Sequence, residues 1–118
     1  MEHSVVWFEV MGENGEKLQS FYHRLFGWKI DASNPMGYGM VEAASGQGIP
    51  GGVGEIGDNP YHPKVTFYVS TKAIGASLDK AKELGGRVLM PRTELPGGTI
   101  LGMFADPEGN AIGLVEEA

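Results

Sequence analysis

Val6-Trp7-Phe8-Glu9-Val10, close to the start of the chain, returns in the second half as Val65-Thr66-Phe67-Tyr68-Val69. Working outward, Leu25-Phe26-Gly27-Trp28-Lys29-Ile30 is echoed by Glu83-Leu84-Gly85-Gly86-Arg87-Val88. Gly39-Met40-Val41 is echoed by Gly102-Met103-Phe104, and Val53-Gly54-Glu55 by Leu114-Val115-Glu116. An internal repeat of this length decides the architecture before any single residue does. Each copy is too short to bury a core alone, so both belong to one domain over residues 1–118, built of modules at about 1–57 and 58–118.

The V-x-F-x-V pattern alternates as a strand does, so Val6, Phe8 and Val10 are expected on one face, under the first helix, and Val65, Phe67 and Val69 under the second. A helix is expected from about Glu16 to Phe26, with Leu18, Phe21, Tyr22, Leu25 and Phe26 at helical spacing and Gly27 as its stop. Strands follow at residues 28–32, 38–43 and 51–56. In the second half a strand is expected at 64–70, a helix at 72–84 stopped by Gly85-Gly86, and strands at 87–90, 99–105 and 111–116. Asp106-Pro107-Glu108-Gly109 has the chemistry of a tight turn. Asp58-Asn59-Pro60-Tyr61-His62-Pro63 joins the modules, because two prolines and no periodicity make a linker.

Composition narrows the function. Nine Lys and Arg against fifteen Asp and Glu give a net charge of -6, with no basic run, which argues against nucleic acid and against an anionic membrane surface. Without cysteine there is no disulfide, thiolate ligand or cysteine nucleophile. No apolar stretch has membrane-spanning length and the N-terminus lacks a secretion signature, so a cytoplasmic location is expected. Gly48-Ile49-Pro50-Gly51-Gly52 lacks the Lys-Ser/Thr and the helix of a phosphate loop. No strained G-x-S-x-G turn points to a hydrolase.

The order βαβββ, twice, with Phe21-Tyr22…Leu25-Phe26-Gly27-Trp28 and Phe104-Ala105-Asp106-Pro107-Glu108-Gly109-Asn110, resembles the vicinal oxygen chelate superfamily. That superfamily includes glyoxalase I, extradiol dioxygenases and bleomycin-resistance proteins, and the resemblance covers essentially the whole chain. It implies an α+β fold in which two tandem βαβββ modules form a cup-shaped, curved mixed sheet with the helices outside. In metal-dependent members the ligands come from the first and last strands of each module. Set in register, those positions fall on Val5, a residue near Gly52, Lys64 and Gly113. None is a good ligand, since valine and glycine offer no donor and lysine would have to lose a proton beside a cation. The resemblance therefore points to the metal-free branch, with a small organic molecule bound in the cup and no cofactor. The alternative is a metal-dependent glyoxalase-type lyase or isomerase, or a dioxygenase, with a divalent ion.

Strand parity sends Val5, Trp7, Glu9, Lys64, Thr66, Tyr68 and Gly113 to the cup, joined by Ala111 and Val115. Few polar groups among apolar walls suit a small-molecule site. Glu9 is the candidate catalytic base or partner of a cationic ligand; the competing reading is a rim carboxylate, solvated or paired with Lys64. Trp7 and Tyr68 either stack on a planar ligand or pack the sheet. Met40 and Met103 hold matched positions and read as filling. His3, His23 and His62 do not look convergent, and a set such as His3, Glu9 and Glu42 is the one histidine-based metal site to consider. A homodimer is expected, since superfamily members commonly pair and apolar sheet edges would supply the interface.

Overall fold

The computed structural model describes residues 3–44, 46–58 and 62–117. Asn59, Pro60 and Tyr61 of the expected linker lie outside the described residues. The elements run β1 (Val5–Gly12), α1 (Gly15–Phe26), β2 (Ile30–Asp31), β3 (Gly39–Val41) and β4 (Gly51–Glu55). The order then repeats as β5 (Val65–Thr71), α2 (Ile74–Glu83), β6 (Arg87–Glu94), β7 (Ile100–Ala105) and β8 (Ala111–Glu116). This is βαβββ twice, an α+β chain of parallel and antiparallel strands. It divides into two compact units: Trp7–Thr66, here the first unit, and Met1–Val6 with Phe67–Ala118, the second. No helix among the described residues is long and apolar enough to cross a membrane.

In the first unit the strands lie in the order β2-β3-β4-β1, β1 running parallel to β4 and the other neighbours antiparallel. The register aligns Glu9, Gly52, Met40 and Asp31 in one row across the strands. Partners in a row point to one face of a sheet, so this row and the positions two residues away from it share the face opposite α1. Helix-side positions are Val10, Val41 and Val53, the last two 3% and 0% exposed. Phe8 joins them, its ring over Gly51 and 5.4 Å from that of Trp28. The parity expected for Phe8 and Val10 holds.

In the second unit the order is β5-β8-β7-β6, with β5 parallel to β8. Its core is Ile74, Leu78 and Leu114, with Val69, Val88, Ile100 and Phe104 packed against it. Here the expected burial needs correction. Along β5, Val65 of the first unit is 71% and Phe67 of the second 39% exposed, while Thr66 of the first and Tyr68 and Ser70 of the second, on the other face, are buried. The reason is reach: α2 packs on β6, β7 and β8, and of the three apolar residues only Val69 meets its core.

Element ends shift for local reasons. β2 shrinks to two residues because the Asp31 carboxylate takes up the Ser33 N–H and hydroxyl and turns the chain. β6 instead runs on through Pro91 to Glu94, which its outer place in the order and its register shifts allow.

The helices show why the repeat preserves Glu55 and Glu116. Asn14 caps α1 by accepting from the Lys17 N–H at 3.0 Å, and the Glu55 carboxylate faces the Gly15 N–H at 3.5 Å. Ala73 at the start of α2 has no capping side chain, and there Glu116 accepts the Ile74 N–H at 3.1 Å. A carboxylate from the last strand of each repeat thus meets the positive end of that repeat's helix. Glu116 is also gripped by Arg92, at 2.8 Å for the shortest contact. The Arg92 hydrogen bonds, then that from Ile74, hold the Glu116 carboxyl below its ordinary value. A carboxyl depressed in the folded state contributes stability above its ordinary pKa, and the contribution is lost as pH falls through the lower, folded value. Glu116→Gln should therefore melt below the wild type at pH 7, and the gap should narrow as the pH falls below the ordinary carboxylate range. Thermal melts from pH 7 downward check it; a gap that stays constant down to about pH 3 would refute the assignment.

Candidate functional site

The glycines of β4 are the starting point, since Gly-Gly-Val-Gly is a poor strand former unless something lies on it. What lies on it is Tyr38. Its ring runs along β4 on the face opposite α1: a Cβ at Gly54 would stand 3.0 Å from Tyr38 Cδ1, and one at Gly52 only 1.7 Å from the hydroxyl. The ring is placed by its own loop. The Asn34 side chain accepts the Tyr38 N–H at 3.0 Å and donates to the Tyr38 carbonyl at 2.6 Å. Gln19 on α1 donates to the carbonyls of Gly37 and Val53 at 3.0 and 2.8 Å, fastening the loop to β4.

So held, the Tyr38 hydroxyl connects two residues of β1. It accepts from Trp7 Nε1–H at 3.0 Å and donates to Glu9 Oε2 at 2.8 Å. An indole N–H can only donate and a carboxylate oxygen accepts, so the direction of this relay is fixed. Glu9 is 6% exposed, and a carboxylate that far from water requires such partners. Its other oxygen, Oε1, faces His62 Nε2 at 3.4 Å. His62 Nδ1 is 2.8 Å from the Pro63 carbonyl, which only accepts, so Nδ1 carries a hydrogen. His62 therefore presents Nε2 to the Glu9 carboxylate.

Beside this relay the same face forms a concavity of about 480 Å³, lined by Trp7, Lys29, Asp31, Met40, Glu42 and Pro50 among others. Two carboxylates against one ammonium make its rim acidic. Ser33 hydrogen bonds lower the Asp31 carboxyl, keeping it ionised. An indole wall with an acidic rim favours an organic cation or a planar ring.

Of the residues expected to form the site, Trp7 and Glu9 are brought together through Tyr38, and Thr66 is buried in the same unit. Lys64 is exposed at the start of β5; the basic group at Glu9 is His62, which corrects the alternative of a solvated or Lys64-paired carboxylate. Val5 is 46% exposed. Tyr68 is buried over Gly113, where a Cβ would come within 2.3 Å of its ring. Sequence reasoning missed Tyr38 and set His62 aside as a linker residue. Gly52 and Gly54 of β4 are the signal that calls for an overlying ring on that face; nothing in the linker marks His62.

The four positions at which the resemblance would put metal ligands do not suit a divalent ion. Val5 and the glycines have no donor, and Lys64 offers only a cationic one. At Gly52 and Gly113 a ligand side chain has no room either, because the rings of Tyr38 and Tyr68 occupy that space. Among the described residues no three His, Asp or Glu are grouped closely enough to hold a metal.

Comparison with known proteins agrees with this architecture. Residues 4–114 match the family model described as the Glyoxalase/Bleomycin resistance protein/Dioxygenase superfamily. CFP32 of Mycobacterium tuberculosis, provisionally named a glyoxylase, is 28% identical over 118 residues. That alignment takes in 92% of this chain but 43% of CFP32, so the chain spans less than half the length of this relative. A superfamily member from Vibrio splendidus 12B01 superposes with a TM-score of 0.67 at 15% identity, over 98% of this chain and 99% of that one. Methylmalonyl-CoA epimerase of Streptomyces coelicolor, in complex with 2-nitronate-propionyl-CoA, gives 0.66 at 13% identity, over 100% and 99%. At such identities the structures speak for the fold, and the family match is carried by the sequence. The chain belongs to the Glyoxalase/Bleomycin resistance protein/Dioxygenase superfamily.

Proposed function

We propose that the chain binds a small organic molecule on the face of its first unit opposite α1, without a resident metal ion and in the cytoplasm. The observation that carries this reading is the relay from Trp7 through Tyr38 to the buried Glu9. It spends an indole N–H, a phenol and a carboxylate on one spot beside an acidic concavity, and that arrangement suits an aromatic amine. The ring would lie against Trp7, and the ammonium group would take Glu9 Oε1 from His62, whose 3.4 Å contact is the longest that Glu9 makes to Tyr38 or His62. A thermal-shift screen of aromatic amines, beginning with phenethylamine, tests this, since a ligand of the folded state raises the melting temperature by mass action. Glu9→Gln should weaken the best amine by about 1.5–3 kcal/mol, the worth of a charge-assisted hydrogen bond. Calorimetry showing equal affinity in wild type and variant would reject the site. Stoichiometric zinc, nickel, iron or manganese in protein purified without added metal would reject the metal-free part.

A second reading rests on the 3.4 Å contact between the buried Glu9 carboxylate and His62 Nε2. A buried carboxylate coupled to an imidazole is equipped to take a proton from a bound carbon or nitrogen acid and return it. Deuterium exchange into a bound amine or carbonyl compound, lost in Glu9→Gln, would move the chain from binding protein to enzyme. Pairing of two chains belongs to the first proposal as well, and the exposed Phe21, Leu25 and Phe26 on α1 offer apolar surface for it.

A further inference from the structure

We infer that the groove beside α2, in the second unit, is a separate binding site for a small aromatic anion. The groove has a volume of about 600 Å³. Val69, Phe104 and Leu114 form its floor, and Ser77 and Ala81 of α2 its wall.

The first repeat shows what such a place holds. Helix α1 begins at Gly15 and α2 at Ile74, so Leu18 and Tyr22 fall on Ser77 and Ala81, which face inward as they do. After each helix comes a left-handed glycine, Gly27 or Gly85, and the next residue is Trp28 in one repeat and Gly86 in the other. In the first unit Tyr22 and Trp28 stack at 5.3 Å and 14°, with Phe26 against Trp28 at 5.3 Å. The second unit keeps the positions adjacent, Gly86 N–H donating to the Ala81 carbonyl at 2.8 Å, yet supplies a methyl group and a hydrogen for the two rings. One repeat fills the space between helix and sheet with its own aromatic plane, and the other leaves a groove there.

The charge of the occupant follows from the rim. Lys80 lines the groove with Lys72 beside it, and the one carboxylate among its described lining residues, Asp106, is turned into its own loop. Asp106 accepts from the Glu108 and Asn110 N–H groups and the Asn110 side chain, each at 2.9 Å. In a chain of net charge -6 this is a locally cationic spot over an apolar floor. A ring system of indole or naphthalene size bearing one carboxylate or sulfonate complements it.

Calorimetric titration of the full chain with 2-naphthoate tests the site, with 2-naphthylmethanol as the uncharged counterpart. We expect one naphthoate per chain, weaker binding of the alcohol, and a loss of about tenfold in affinity in Lys80→Gln. Ala81→Tyr, which restores the ring of the first repeat, should abolish binding. Ser77→Leu, restoring Leu18, serves if the tyrosine variant does not fold. Gly86 is unsuitable for this purpose because a Cβ there would lie 2.6 Å from the Ala105 carbonyl. Absence of heat up to millimolar naphthoate, or unchanged affinity in Lys80→Gln and in the folded filling variant, overturns the inference. Loss of binding in Glu9→Gln would place the anion on the first unit and overturn it too. A wild-type dimer that becomes monomeric in Ser77→Leu would assign the groove to a second copy and likewise overturn the inference.

Discussion

Ile74→Ala is expected to destabilise the protein by about 2–5 kcal/mol, the range for removing a large aliphatic side chain from a packed core. Ile74 is fully buried at the first turn of α2 and forms the core of the second unit with Leu78 and Leu114. The surroundings cannot close the gap cheaply. Gly102 of β7 lies so close that a Cβ on it would stand 2.7 Å from Ile74 Cγ2, so a strand backbone already borders the cavity. The helix also starts without a capping side chain on Ala73 and depends on Glu116 accepting the Ile74 N–H. Loosening this residue therefore loosens the helix end. Against a typical total of 5–15 kcal/mol the loss is large. Val65→Ala is the contrasting case: Val65 is 71% exposed and its truncation should stay within about 0.5 kcal/mol. Urea denaturation of both variants measures the difference, and a loss below about 1 kcal/mol at Ile74 would show that the core is drawn in the wrong place.

That contrast also marks what could be read from the chain and what could not. Val65, Phe67 and Val69 carry the same binary pattern as Val6, Phe8 and Val10, and the pattern assigns a face correctly in both repeats. It carries no information on how far a helix extends over that face, and α2 leaves Phe67 uncovered. The helix stops at Gly27 and Gly85 were legible because only a left-handed φ, 73° and 99° here, explains glycine at both places. The matched Glu55 and Glu116 were visible as a repeat, but their role as caps needed the geometry. At the site, Trp7 and Glu9 followed from strand alternation. Tyr38 and His62 did not, since each reaches Glu9 from outside any periodic segment, 29 residues away in the case of Tyr38. Such contacts are set by loop paths, which periodicity does not encode.

Gly52→Ala should cost both stability and ligand affinity, although it adds a single methyl group. That methyl would sit 1.7 Å from the Tyr38 hydroxyl and 2.0 Å from Cζ, so the ring must leave the strand surface. Relief by a small rotation is blocked, because Asn34 grips the backbone of Tyr38 on both sides and Gln19 ties the preceding Gly37 to β4. Once the ring moves, Trp7 Nε1–H loses its acceptor and the buried Glu9 loses a donor. An unsatisfied buried group costs about 1–3 kcal/mol, more when charged, so about 2–3 kcal/mol of stability should go. Gly57→Ala is the control: its Cβ meets open space and its backbone is not left-handed, so little should change. The decisive measurement is a double-mutant cycle. If the cost arises from the ring, Gly52→Ala should be nearly neutral in a Tyr38→Ala background. Should the full penalty persist there, the strand itself requires the glycine, and the relay from Trp7 to Glu9 would lose its structural warrant.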